Sequence, residues 1–163
     1  MIRSMLFATD LGLYAPVVLQ HALALARTFN AELHVIHVVE PMGLFAESVL
    51  QSYLAEDVLR ELQSEGVNTV IEGIEARVLA GFRDELGEDN RDLALIRNVR
   101  VVQGDPSKVI LEQAQRLAVD LLVLGSHSHG GEGDTPIGRT AARVLQLSEV
   151  PVYMVPMQYR FGQ

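Results

Sequence analysis

Leu121-Leu122-Val123-Leu124-Gly125-Ser126-His127-Ser128-His129-Gly130-Gly131-Glu132-Gly133-Asp134-Thr135-Pro136-Ile137-Gly138-Arg139-Thr140 decides how this chain of 163 residues is read. Four apolar residues in a row make a strand buried on both faces. A glycine-rich loop follows, and then Ala141-Ala142-Arg143-Val144-Leu145 spaces its apolar residues as a helix does. A loop of this kind, placed before a helix N-terminus, converges backbone N–H groups on one spot where the helix dipole is positive. That spot suits an anion, most often a phosphate.

Working outward, strand and helix patterns alternate. Met5-Leu6-Phe7-Ala8-Thr9 is a continuous apolar run that ends in the turn Asp10-Leu11-Gly12. Pro16 to Phe29 carries helical spacing, with Asn30 as its stop. Leu33 to Val39 is rich in β-branched residues and ends at Pro41-Met42-Gly43. Two helices are expected next, Phe45 to Leu62 and, beyond Gly66, Val67 to Leu86 despite Gly73 and Gly81; Gly87 to Asp92 is a polar connection. Val99 to Val102 is the third strand. Asp105 caps a helix that has Pro106 at its first position and runs to Leu117. Leu121 to Leu124 is the fourth strand and Val150 to Val155 the fifth. Such alternation predicts one α/β domain with a mostly parallel sheet and helices on both faces. Ligands of open sheets of this kind sit beyond the carboxyl ends of the strands, where the winding reverses. Asp10 and Gly125 each lie just past such an end.

Composition narrows the function. The formal net charge is −8, which disfavours nucleic acid and anionic membrane as partners. The chain has no cysteine, hence no disulfide, thiolate-bound zinc or thiol nucleophile. No apolar run approaches the ~18 residues of a membrane helix, and the first strand starts too early for a signal peptide. A soluble cytoplasmic protein is the expectation. No G-x-x-x-x-G-K-[ST] occurs, and no G-x-G-x-x-G follows the first strand, so neither a P-loop nor a dinucleotide fingerprint is present.

With the elements in place, the chain resembles the universal stress proteins of the UspA type along essentially its whole length. The resemblance rests on Phe7-Ala8-Thr9-Asp10, on Leu33-His34-Val35-Ile36-His37-Val38-Val39-Glu40-Pro41, on Gly104-Asp105-Pro106, on Val119 through His127 and on Pro151-Val152-Tyr153-Met154-Val155-Pro156. It implies a Rossmann-like domain over residues 1–157 with a short tail at 158–163, and a five-stranded parallel sheet in the order 3-2-1-4-5. It also implies a homodimer paired through the last strand, Val150 to Val155. The ATP-binding branch of the family carries Gly, two residues, Gly, nine residues, Gly, then Ser or Thr. Gly125 and Gly138 match the first and third glycines, Ser128 stands at the second, and Arg139 stands at the Ser/Thr with Thr140 one place later. Asp10 matches the family aspartate on the ribose or adenine side. Val38 matches the residue whose backbone faces adenine, and Gly12 stands where many members have Ser.

The resemblance therefore implies a nucleotide site built from Ala8, Thr9, Asp10, Val38, Gly125, Ser126, His127, Ser128, Gly138, Arg139 and Thr140, taking ATP or another adenine nucleotide with or without Mg2+. Ser128 narrows the approach of a phosphate, because its Cβ restricts positive φ. Arg139 replaces a hydroxyl by a guanidinium that can clamp phosphate through two bonds, or it points to solvent. Three readings stay open. The first is a nucleotide-responsive regulatory protein of the stress response, a binding module with at most weak ATP hydrolysis and an unknown protein partner. The second is a dimer of the same family that binds no nucleotide. The third, from another class, is a metal-dependent hydrolase using Asp10, His127 and His129; it ranks last, since a metal site also needs fixed second-shell partners. Asp10 is equally well read as a turn residue capping the next helix. His34 and His37 fall on opposite faces of their strand and read as packed or hydrogen-bonded residues.

Overall fold

The computed structural model describes residues 1–12, 14–40, 66–126 and 137–156. In chain order these form β1 (Ser4–Thr9), α1 (Ala15–Phe29), β2 (Glu32–Val39), α2 (Gly66–Leu86), a short 3-10 turn (Arg91–Leu95), β3 (Ile96–Gln103), α3 (Pro106–Arg116), β4 (Leu121–Gly125), α4 (Arg139–Leu147) and β5 (Val152–Val155). The strands make one sheet in the order β3-β2-β1-β4-β5, and every neighbouring pair is parallel. The expected strand order is the one observed. The predicted helix Phe45 to Leu62 and the tail 158–163 lie outside the described residues.

The inner strands β1, β2 and β4 are largely apolar on both faces because helices cover both. Alternate residues of one strand belong to different cores. Met5, Phe7, Leu33, Val35, Leu121 and Val123 pack with Val18, Leu19, Ala22, Leu23 and Ala26 of α1 and with Val78 and Phe82 of α2. Leu6, Ile36, Leu122 and Leu124 pack on the opposite face with Val109, Ile110 and Ala114 of α3 and with Ala141 and Val144 of α4. In register, Phe7 of β1 lies between Val35 of β2 and Val123 of β4. This central row is closed to water: Phe7 and Val35 are 1% exposed and Val123 is fully buried.

Local signals set the helix ends. Asn30 stops α1 in the left-handed conformation (φ 53°, ψ 47°), where its backbone N–H reaches the carbonyls of Ala26 and Arg27. The Asp105 carboxylate accepts the Lys108 N–H at 3.2 Å and so caps α3, with Pro106 in the first turn. Most boundaries fall within a residue of the sequence expectation, and three larger differences have local causes. Strand β3 runs from Ile96 rather than Val99, because its first residues pair with β2 although Arg97 and Asn98 are polar. The connection after Gly87 contains the 3-10 turn, which Asn90 caps by accepting the Asp92 N–H at 2.8 Å. The fifth strand begins at Val152, not Val150. Ser148 Oγ accepts the Val150 N–H and donates to the Val150 carbonyl, which holds that residue in the preceding turn. Among the described residues no helix is long and apolar enough to cross a membrane.

Candidate functional site

β1 and β4 lie side by side at the centre of the sheet. The chain leaves β1 for α1 on one face and reaches α4 on the other after β4. The carboxyl ends of the two strands therefore part, and a cleft of about 550 Å³ opens between them. Ala8, Thr9 and Asp10 line it from β1, Val38 from β2, Gly125 and Ser126 from β4, and Gly138 and Thr140 from the start of α4.

The turn after β1 is tightly bonded. Leu11 has a positive φ of 59°, rare for a side chain of its size. The Leu11 N–H donates to Thr9 Oγ1 at 3.1 Å, and the Gly12 N–H donates to Asp10 Oδ1 at 2.8 Å. Asp10 thus closes its own turn rather than capping α1, whose N-cap is Tyr14 without a side-chain bond. A Cβ on Gly12 would stand 3.1 Å from both Asp10 carboxylate oxygens, so the glycine leaves room for that carboxylate. Behind the turn, His37 Nδ1 lies 2.9 Å from the Thr9 carbonyl oxygen. A carbonyl only accepts, so Nδ1 carries the proton and pins the end of β1 to β2. His34, on the other face, is buried with its Nδ1 3.0 Å from Asn98 Oδ1.

The opposite wall is held by backbone. The Ser126 N–H donates to the Val155 carbonyl at 2.9 Å, and the Gly138 N–H donates to the Ser126 carbonyl at 2.6 Å. Segments twelve residues apart are thereby drawn together, and α4 starts at the mouth of the cleft. Gly138 caps α4 with φ −69° and ψ 158° and offers no side-chain acceptor to the first N–H groups. Helix starts in this state present donors to an anion. Arg139 and Thr140 diverge here. Thr140 is half-buried and lines the cleft, whereas Arg139 is exposed and stands outside the lining. His127 and Ser128 lie outside the described residues, as does His129.

Several cleft residues carry no site signal in the sequence. Tyr14, Val17 and His21 share one side of the first turns of α1, His37 and Glu40 come from the end of β2, and Pro106 and Ile110 come from α3. All that marks them is position, near the carboxyl end of a strand or the start of a helix. Helical spacing shows which residues share a face, but not which face meets a cleft. His21 is exposed and its Nδ1 lies 3.1 Å from the Tyr153 hydroxyl, with the rings 5.9 Å apart. Among the described residues no three His, Asp or Glu side chains are grouped to hold a metal ion.

A family model described as Universal stress protein family matches residues 1–156. The chain is 26% identical over 160 residues to Universal stress protein YxiE of Bacillus subtilis, covering 95% of this chain and 99% of that one. The solved structure of protein MJ0577, from Methanocaldococcus jannaschii, superposes with a TM-score of 0.66 at 22% identity, covering 97% of this chain and 98% of that one. A universal stress protein solved in complex with cAMP superposes with a TM-score of 0.58 at 18% identity, covering 95% and 97%.

Proposed function

The chain belongs to the universal stress protein family, and from that premise we propose that it is a nucleotide-responsive regulatory protein that binds an adenine nucleotide in the cleft between β1 and β4. One observation carries the reading: the uncapped start of α4 is tied to Ser126 across the switch point and faces the cleft. A phosphate seated against Gly125, Ser126 and the first turn of α4 receives backbone N–H groups and the positive helix end. The base side is apolar, with Val38, Ile36 and Ile110 in the wall, and Asp10 stands at the ribose side. The structural relative solved with cAMP supports the same ligand class. The protein acts as a binding module, with ligand state passed to a protein partner, rather than as an efficient enzyme.

Thermal melting against adenosine, AMP, cyclic AMP and ATP tests this. A ligand at about 100 times its Kd stabilises the fold by about 2.7 kcal/mol, a shift of roughly 5–11 °C at this size. No shift with any of the four at millimolar concentration rejects the nucleotide reading and leaves a family member whose regulation runs without one.

A further inference from the structure

The charge in the wall of the cleft bears on which nucleotide it takes. Asp10 and Glu40 both line it, and among the described lining residues there is no Lys or Arg. Two histidines line it as well, His37 with its Nδ1 proton committed to the Thr9 carbonyl and His21 beside the Tyr153 hydroxyl. The cation nearest in sequence to the helix start, Arg139, is exposed and outside the lining. The segment 127–136, which joins the two walls in sequence, contains Glu132 and Asp134 and neither Lys nor Arg. Among the described residues, what remains for a phosphate is backbone N–H and the N-terminus of α4, worth about half a positive charge. Such a site matches one negative charge. Each further charge meets two carboxylates across a cleft whose apolar walls screen less than water does.

We propose that, within the nucleotide reading on which this rests, the cleft selects an adenine nucleotide by low phosphate charge, taking a singly charged phosphodiester or a monophosphate in preference to the free triphosphate. Asp10 and Glu40 are the residues that set this preference, by a repulsion that grows with each charge added to the phosphate chain. Magnesium relaxes it, because the ion neutralises part of the triphosphate charge before the carboxylates meet it.

The test is calorimetry on the full chain in EDTA, with adenosine, cyclic AMP, AMP, ADP and ATP, a series carrying roughly 0, −1, −2, −3 and −4 at neutral pH. Affinity is expected to peak at cyclic AMP or AMP and to fall through ADP to ATP, with ATP weaker than the peak by roughly tenfold or more. Raising NaCl from about 50 to about 500 mM shortens the screening length severalfold. It should strengthen ATP binding, the reverse of the response of a basic phosphate site. Glu40→Gln, an exposed position whose folding circular dichroism verifies, should raise ATP affinity more than adenosine affinity. ATP binding in EDTA as tightly as cyclic AMP and AMP, or ATP binding weakened by salt, overturns the charge inference while leaving the nucleotide site standing. Failure of all five ligands, adenosine included, overturns the nucleotide reading and the inference together.

Discussion

Thr140 and Arg139 are adjacent in sequence and face different surroundings, and the difference is a helical one. Successive residues of a helix are turned by about 100°, so only one of two neighbours at a helix start meets a given ligand. Counting motif positions puts Arg139 at the family's hydroxyl; the helix puts Thr140 in the cleft instead. Thr140→Ala is therefore expected to weaken a phosphorylated nucleotide by about 1 kcal/mol, the net worth of a neutral hydrogen bond. Adenosine binding should change little. Arg139→Ala should stay within about 0.5 kcal/mol, as exposed substitutions do. Calorimetry on both variants decides it, and a larger loss from Arg139→Ala would show that the guanidinium swings in when phosphate arrives. A second residue-scale prediction concerns Asp120, far from the cleft. Its carboxylate accepts the N–H groups of Arg3 at 2.9 Å and Ser4 at 3.1 Å and ties β1 to the approach of β4. Those two backbone bonds, Arg3 first, hold its pKa below the ordinary 3.8. A lowered folded pKa means that the stabilisation is complete at neutral pH and is lost as pH falls through the depressed value. Asp120→Asn should be less stable than the parent at pH 7, with the gap closing below about pH 4. Urea midpoints at pH 7 and pH 3 measure this; a gap that is constant with pH would show that the charge plays no part.

Elements differ in how much of themselves they write into sequence. Strands β1 and β4 are legible because burial on both faces makes them continuous apolar runs. The start of β3 is not, because Arg97 and Asn98 sit at a sheet edge where polar side chains reach water or a neighbour, as Asn98 reaches His34. The ends of α1 and α3 were readable from Asn30, Asp105 and Pro106, since a cap acts through its own backbone or side chain within a few residues. The cleft was readable at its strand ends and its glycines. It was hidden on α1 and α3, where membership depends on the tilt of a helix over the sheet. Glycines show the same division between local and distant causes. Gly73 and Gly81 lie within α2 with nothing near an added Cβ. Each Gly→Ala change should stabilise the fold by about 0.5–1 kcal/mol through lost unfolded-state entropy. Gly104 has φ +155°, and an added Cβ would meet Val109 Cγ2 at 2.7 Å. Gly104→Ala should cost about 1–3 kcal/mol in strain and displaced packing. Denaturant melts of the three variants would place two midpoints above the parent and one below. A stable Gly104→Ala protein would mean that the turn before α3 shifts without penalty.

At the scale of the whole molecule, the two edges of the sheet are not alike. On the β3 side, Glu75 of α2 reaches over the edge, and its Oε1 accepts the Val101 N–H at 2.9 Å. A side chain there takes the place of a neighbouring strand and blunts further pairing. On the β5 side, the strand pairs with β4 alone among the described strands. Tyr153 is 37% exposed, and α4, which leads into β5, exposes Leu145 by 41% and Leu147 by 54%. An open strand edge invites another strand, and a second copy of the chain supplies one through an isologous two-fold contact. The homodimer expected from the family resemblance is thus a proposal about one particular edge. Two copies of the four-residue strand β5 meeting antiparallel across a two-fold axis bring its middle residues, Tyr153 and Met154, close to their symmetry mates, where like charges repel. Tyr153→Lys should therefore shift sedimentation toward the monomer at micromolar concentration while circular dichroism stays that of a folded α/β protein. Gln103→Lys, an exposed change on the edge that Glu75 guards, should leave the mass unchanged. A parent protein that sediments as a monomer would reject the dimer outright. A dimer disrupted by Gln103→Lys and untouched by Tyr153→Lys would move the contact to the other edge.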